Sequence, residues 1–312
     1  MAEIFVFSED LALAKQLLTP ALELKASLTQ PIVALALSEE SAKELVALGA
    51  DKAIALKSDS KWVEGFSEAI FTQVSNAGAS VLLVGGTLSG KHIASYVAAK
   101  LGAGMTSDAK TLRIDGANLV TSRVLYAGLA VAEEETVLPA VVTVRARTFV
   151  APATAAKAGT VETAAVHGDA RYTLGQVTST VTEGVDITAA DKLVSVGRGF
   201  KTKDDLKLAE DLAGALKAEI SCSRGVAEDD HWLPIERYVG ISGQTVKPDL
   251  YLAVGLSGQV QHMVGCRESK VIIAVNSDEK SPIFEAADYG IVGDLYEVLP
   301  LLTAAVRNNG GR

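Results

Sequence analysis

Cysteine is nearly absent from this chain: there are two in 312 residues, Cys222 and Cys266. They lie far apart and neither has a second thiol beside it, which excludes a disulfide framework and the ligand spacings of zinc and iron-sulfur sites. Both are expected to be reduced packing residues. The four histidines, His92, His167, His231 and His262, likewise show no metal-ligand spacing. Basic residues are in deficit, 29 against 38 acidic ones, and the formal charge of -9 opposes broad contact with DNA or RNA phosphates. No apolar run approaches the roughly 20 residues that span a bilayer, so neither nucleic-acid binding nor membrane insertion is expected. Missing too are a G-x-S-x-G nucleophile elbow and a GxGxxG dinucleotide fingerprint. The loop Gly85-Gly86-Thr87-Leu88-Ser89-Gly90 leads into Lys91, but His92 stands where a phosphate loop carries a hydroxyl. An NTPase is therefore disfavoured, and an ordinary turn into a helix is expected.

What is present is apolar and small. Hydrophobic residues make up 48% of the chain, much of it alanine, with aromatics at 5%, a balance that suits helices packed closely on a sheet. The length exceeds what one core usually fills, so two domains are expected: an N-terminal α/β domain over 1–190 and a second over 191–312. The run Met1 to Ser8 is strand-like and lacks the basic start and long apolar core of a secretion signal, which places the protein in the cytoplasm by expectation.

The first half alternates short apolar runs with alanine-rich helical stretches. Ile4 to Phe7, Ile32 to Leu37, Lys52 to Leu56 and Ser80 to Val84 read as parallel strands. The intervening stretches, including one helix over Val63 to Ala77, read as crossovers. After Thr111, segments at Leu112 to Ile114, Leu119 to Leu125 and Ala140 to Val144 have no helices between them and are expected to add antiparallel strands to that sheet. Residues 151–168 are small, polar and weakly patterned, as an exposed excursion would be. In the second half, strands Leu193 to Val196, Tyr251 to Val254 and Val271 to Val275 are expected. Turns at Gly197-Arg198-Gly199 and Gly255-Leu256-Ser257-Gly258 lead into helices from about Lys203 to Leu216 and Gln259 to Gly265. The fold class is α/β: two domains, each a mainly parallel sheet flanked by helices, the second Rossmann-like. Glycine turns at helix starts offer backbone N–H groups to anions such as a pyrophosphate, although each turn alone is more often ordinary loop geometry.

The run P-D-L-Y-L-A-V-G-L-S-G-Q-V-Q-H-M-V-G, then I-A-V-N, then S-P-I-F-E-A-A-D-Y-G-I-V-G-D-L, closely resembles the C-terminal signature of electron transfer flavoprotein alpha subunits. V-S-V-G-R-G-F-K at 194–201 and C-S-R at 222–224 extend the resemblance, and A-A-K-L-G, S-D and Y-A-G-L-A carry it weakly through the first domain. The resemblance implies FAD in the second domain and a heterodimer with a beta subunit, contacted by the first domain. It also implies electrons taken from an acyl-CoA or related dehydrogenase and passed to a quinone oxidoreductase or other acceptor.

The resemblance also assigns residues. Arg198 would face the cofactor as a fixed cation, Ser223 would meet a phosphate, and Arg224 would sit by the isoalloxazine, where a cation favours negative charge arriving on the ring. Val239-Gly240-Ile241-Ser242 matches the family's V-G-Q-T loop: Ser242 keeps the hydroxyl that meets flavin N5, and Ile241 replaces the usual glutamine. Ser257, Gly258, Gln259, Val260 and Gln261 supply the helix start over the cofactor, and His262 would approach the pyrimidine end of the flavin. Asn276, Asp294 and Leu295 match positions that hold the adenosine. The variant P-I-E-R-Y-V-G-I-S-G points to the branch named after nitrogen-fixation and carnitine-associated relatives. The competing readings are an adenine-nucleotide module without redox activity and an NAD-dependent enzyme, the latter disfavoured by the missing fingerprint and acid/base set.

Overall fold

A computed structural model describes residues 2–58, 62–126, 130–153, 159–169, 171, 175–176, 186–308 and 310. The chain divides into two compact units, Met1–Thr178 and Ser179–Arg312. In the first, β1 (Ile4–Phe7), α1 (Leu11–Leu28), β2 (Ile32–Ala36), α2 (Glu39–Ala47), β3 (Lys52–Lys57), α3 (Ser67–Asn76), β4 (Val81–Gly85), α4 (Leu88–Leu101) and β5 (Gly104–Thr106) follow one another. Then come β6 (Ala109–Asp115), β7 (Asn118–Leu125), β8 (Ala130–Val137), β9 (Ala140–Val144) and β10 (Thr160–Ala165).

Seven of these strands form one parallel sheet in the order β10-β3-β2-β1-β4-β9-β5. Its central strands are buried on both faces, with Ile4, Val6, Leu83 and Val142 facing one helix layer and Phe5, Phe7, Leu82 and Val141 the other. The helices start where side chains satisfy the free N–H groups: Asp10 accepts from Ala12 and Leu13, and the Thr87 hydroxyl accepts from Gly90. Helix α4 thus begins at Leu88, and Gly90 lies inside it rather than in the preceding loop.

Three sequence expectations need correction here. Ala140 to Val144 is not an antiparallel addition: it runs parallel between β4 and β5, and its five buried residues in a row are the pattern of a strand covered on both faces. The antiparallel segments instead make a separate three-stranded sheet, β6-β7-β8, in which alternating burial leaves one face outward. Part of the 151–168 excursion is β10, an exposed edge strand paired with β3 through its backbone. Its side chains carry little apolar signal because most are exposed and only Ala164 packs on the core. In addition, Val63–Phe66 forms a tight 3-10 turn before α3 rather than continuing that helix.

The second unit holds β11 (Lys192–Val196), α5 (Leu206–Leu216), β12 (Glu219–Cys222), β13 (Leu250–Val254), α6 (Val260–Met263), β14 (Val271–Asn276), α7 (Ile283–Ala286), β15 (Tyr289–Val292) and α8 (Leu295–Asn308). All pairs are parallel, in the order β12-β11-β13-β14-β15. Helices α5 and α8 cover one face through Leu206, Leu212, Leu295 and Leu299, while Leu256, Met263 and Ile283 cover the other. The chain leaves β11 toward β12 on one side and returns to β13 on the other. That reversal opens a crevice beyond the carboxyl ends of β11 and β13, where open α/β sheets bind ligands. No helix of the described residues is long and apolar enough to cross a membrane.

Candidate functional site

Two cavities occupy that crevice, one of about 530 Å³ and one of about 180 Å³, and both are lined by Gly255 and Asn276. The turns that build them need glycine. A Cβ at Gly197 would lie 2.3 Å from the Gly255 carbonyl, and one at Gly258, at φ +75°, would lie 2.4 Å from the Ile283 backbone. The Ser257 carbonyl accepts from the Ile283 N–H and the Ser281 hydroxyl, which fixes the loop from beneath. Among the described residues nothing accepts from the N–H groups of Ser257, Gly258 and Gln259. A run of such donors at a helix start suits an anion. Helix α6 is a single turn, shorter than the stretch to Gly265 that the sequence suggested, so the donors themselves and not a macrodipole carry the attraction.

The expected residues divide between the cavities. Arg198, Ser223 and Arg224 line one side of the larger cavity; Val239, Ile241 and Ser242 another; and Ser257, Gly258, Gln259, Gln261 and His262 the loop side. Asn276 borders both cavities, and Asp294 and Leu295 line the smaller. Gly240 and Val260 do not line either one. Gly240 packs on the Gln261 carbonyl, and Val260 is 53% exposed. Asp229, Tyr238, Asp278 and Ser281 join the larger cavity and Lys201 and Tyr296 the smaller, none singled out by the sequence reading. Except for Tyr296, in the first turn of α8, they sit on loops and short turns whose approach to the sheet edge no local pattern encodes.

Charge in the larger cavity is balanced. Arg198 lies against Gly225, where a Cβ would meet its Cδ at 2.8 Å. Arg224 sits at the start of a π turn over Gly225–Asp229; its Nε donates to Glu228 Oε2 at 2.5 Å, and its side chain is 67% exposed. With Glu228 as partner and solvent around it, the Arg224 cation acts across a screened field rather than in a low-dielectric site. Asp229 and Asp278 oppose the two arginines.

His262 is buried, and its Nε2 lies 2.7 Å from the hydroxyl of Tyr251, a residue with no exposure at all. Its Nδ1 is also buried and makes no hydrogen bond. Burial pulls the imidazole down to about 4, against the weaker opposing pull of the Val239 backbone, so the ring is neutral at pH 7. The imidazole is thus anchored from behind through Nε2 on Tyr251, while the residue lines the larger cavity. Burial also pushes the Tyr251 phenol well above its ordinary value. Beside this pair, Tyr238 and Ser242 share a short hydroxyl-to-hydroxyl hydrogen bond, which orients the Ser242 oxygen at the cavity wall.

Asn276 spends both amide protons inside the protein, on the Leu256 carbonyl at 2.8 Å and the Ser281 hydroxyl at 3.1 Å, and its oxygen accepts from the Asp278 N–H. It ties the two cavities' shared border together. Asp294 caps α8, accepting from the Tyr296 N–H at 2.9 Å. No group of acidic, histidine or cysteine side chains among the described residues could hold a metal ion.

A small cavity and a large one share Gly255 and Asn276 at their border, and free N–H donors line the larger, an arrangement that suits a dinucleotide with its pyrophosphate. The comparisons with known proteins agree. Residues 186–267 match the electron transfer flavoprotein FAD-binding domain and residues 12–168 the electron transfer flavoprotein domain. Proteins named FixB from Escherichia coli O17:K52:H18, Escherichia coli O157:H7 and Shigella flexneri are each 38% identical, over 98% of this chain and 98% of theirs. This chain belongs to the electron transfer flavoprotein family, as an alpha subunit of its FixB-like branch.

Proposed function

We propose that the chain carries electrons on FAD held in the second unit, as one half of a heterodimer with a beta subunit. It would receive the electrons from an acyl-CoA or related dehydrogenase and deliver them to a quinone oxidoreductase or comparable acceptor. The observation that carries this reading is the pair of cavities joined at Gly255 and Asn276, with the donors of Ser257 to Gln259 on the loop that lines the larger one. FAD, when bound, supplies the redox chemistry. The residues of this chain bind and tune. The loop N–H groups take the pyrophosphate, Ser242 presents its hydroxyl to the ring edge, and Arg198 and Arg224 supply positive charge near it. His262, neutral and backed by the buried Tyr251, forms part of the wall.

None of the lining residues forms a nucleophile–base pair, which supports a carrier rather than a substrate-converting enzyme. The test is coexpression with the beta-subunit gene. A yellow complex that bleaches with dithionite and recolours in air is expected, whereas a colourless complex holding AMP or NAD would sink the proposal.

A further inference from the structure

The smaller cavity has two walls that come from distant parts of the chain. One is the loop after β11, represented by Gly199 and Lys201, and the other is the first turn of α8, represented by Asp294, Leu295 and Tyr296. Near the sheet the loop is held by close glycine contact: Gly199 donates to the Gly255 carbonyl at 3.0 Å, and a Cβ on it would meet the Gly255 Cα at 2.7 Å. Farther out, Lys201 to Asp204 are exposed. Tyr296 reaches across to them. Its hydroxyl accepts from the Lys201 backbone N–H at 2.8 Å and donates to Asp205 Oδ2 at 2.8 Å, while the Lys201 ammonium lies 5.0 Å from the centre of its ring. The same Asp205 oxygen accepts from the Thr202 N–H at 2.9 Å, so one phenol and one carboxylate gather the outer loop onto α8.

We propose that Tyr296 is a positioning residue for the adenosine half of the cofactor, its hydroxyl fixing the separation of the two walls of the smaller cavity. The inference rests on reading the two cavities as one dinucleotide site. A phenylalanine at 296 would keep the ring, its packing and the contact with the Lys201 ammonium, and would lose only the bridge. The loop would then be free to move outward from α8. Ligands that use the smaller cavity would have to order it on binding, at the expense of their affinity. Those confined to the larger cavity would not.

The experiment titrates the FAD-stripped heterodimer with FAD, ADP and FMN. FMN lacks the adenosine, so it reports on the larger cavity alone. Tyr296→Phe is expected to weaken FAD and ADP about three- to tenfold, on the scale of one or two lost hydrogen bonds, with FMN unchanged. Asp205→Ala should reproduce that pattern, and Asp205→Asn, which keeps an acceptor oxygen, should restore much of it. Unchanged FAD affinity in Tyr296→Phe, or FAD and FMN weakened in the same proportion, would overturn the assignment, because a general loss of structure moves both. Failure of the wild-type complex to bind FAD would overturn the reading of the site itself. The clamp would then stand or fall on whether ADP affinity drops in the variant.

Discussion

At the scale of single residues, the groups with the largest perturbations are buried and inward-facing. His262, near 4 in the folded chain against 6.5 when free, binds a proton more readily once unfolded. Its contribution is therefore fully present above about pH 6.5 and is lost as pH falls toward 4. Integrated from pH 7.5 to pH 5, that linkage removes about 2 kcal/mol of stability. Urea unfolding at the two pH values should show the loss in wild type and little of it in His262→Gln; an equal loss in both would show that the imidazole does not stay neutral. Cys222 and Cys266 are both pushed up to about 12 by burial and so hold no thiolate at neutral pH. Thiol reagents are expected to label them only after denaturation, and rapid labelling of the native chain would contradict the structure. At Arg224, ion-paired and mostly exposed, replacement by alanine is expected to leave FAD bound while lowering its one-electron potential, because a cation near the ring is removed. A redox titration that matches wild type would mean that Glu228 already cancels the charge.

Elements differ in how much of their conformation is local. The loop from Gly255 to Gly258 depends on two left-handed glycines, at φ +60° and +75°. At Gly258 any side chain also runs into the backbone of Ile283. Gly258→Ala is expected to cost at least about 2 kcal/mol of stability and to abolish FAD retention, since the loop cannot keep its N–H groups aimed outward. Copurification of FAD at the wild-type level would refute this account of the loop. Strands β1, β2, β4, β11 and β13 were legible because β-branched and leucine runs buried on both faces look alike in every parallel sheet. Strand β10 was not, since Thr160–Ala165 are mostly exposed and their pairing with β3 is made by the backbone. The placing of β9 was missed for a related reason: adjacency in sequence to two antiparallel strands says nothing about which sheet a buried run joins.

On the scale of the whole molecule, each unit has its own core. Leu17 is fully buried in the first and Leu299 in the second. Leu17→Ala and Leu299→Ala should each lose about 2–5 kcal/mol, but only the second should weaken FAD binding, because only that core supports the cavities. Thermal unfolding with and without added FAD distinguishes them, and equal effects on FAD would contradict independent cores. The sequence by itself determined the α/β class, the family and most of the residues around the cleft, because glycine turns and a contiguous signature are local and survive without knowledge of what packs on them. Only the tertiary structure decided that His262 faces Tyr251 across 2.7 Å, that Arg224 is paired with Glu228, and that Tyr296 bridges to Lys201 and Asp205. Those contacts turn on which way a side chain points and on what burial does to its charge. Of the three, only the Arg224 pair is local, four residues apart on one turn, and its strength still depends on the solvent around it; the others join segments up to 95 residues apart, whose meeting is fixed by the packing of the sheet and its helices.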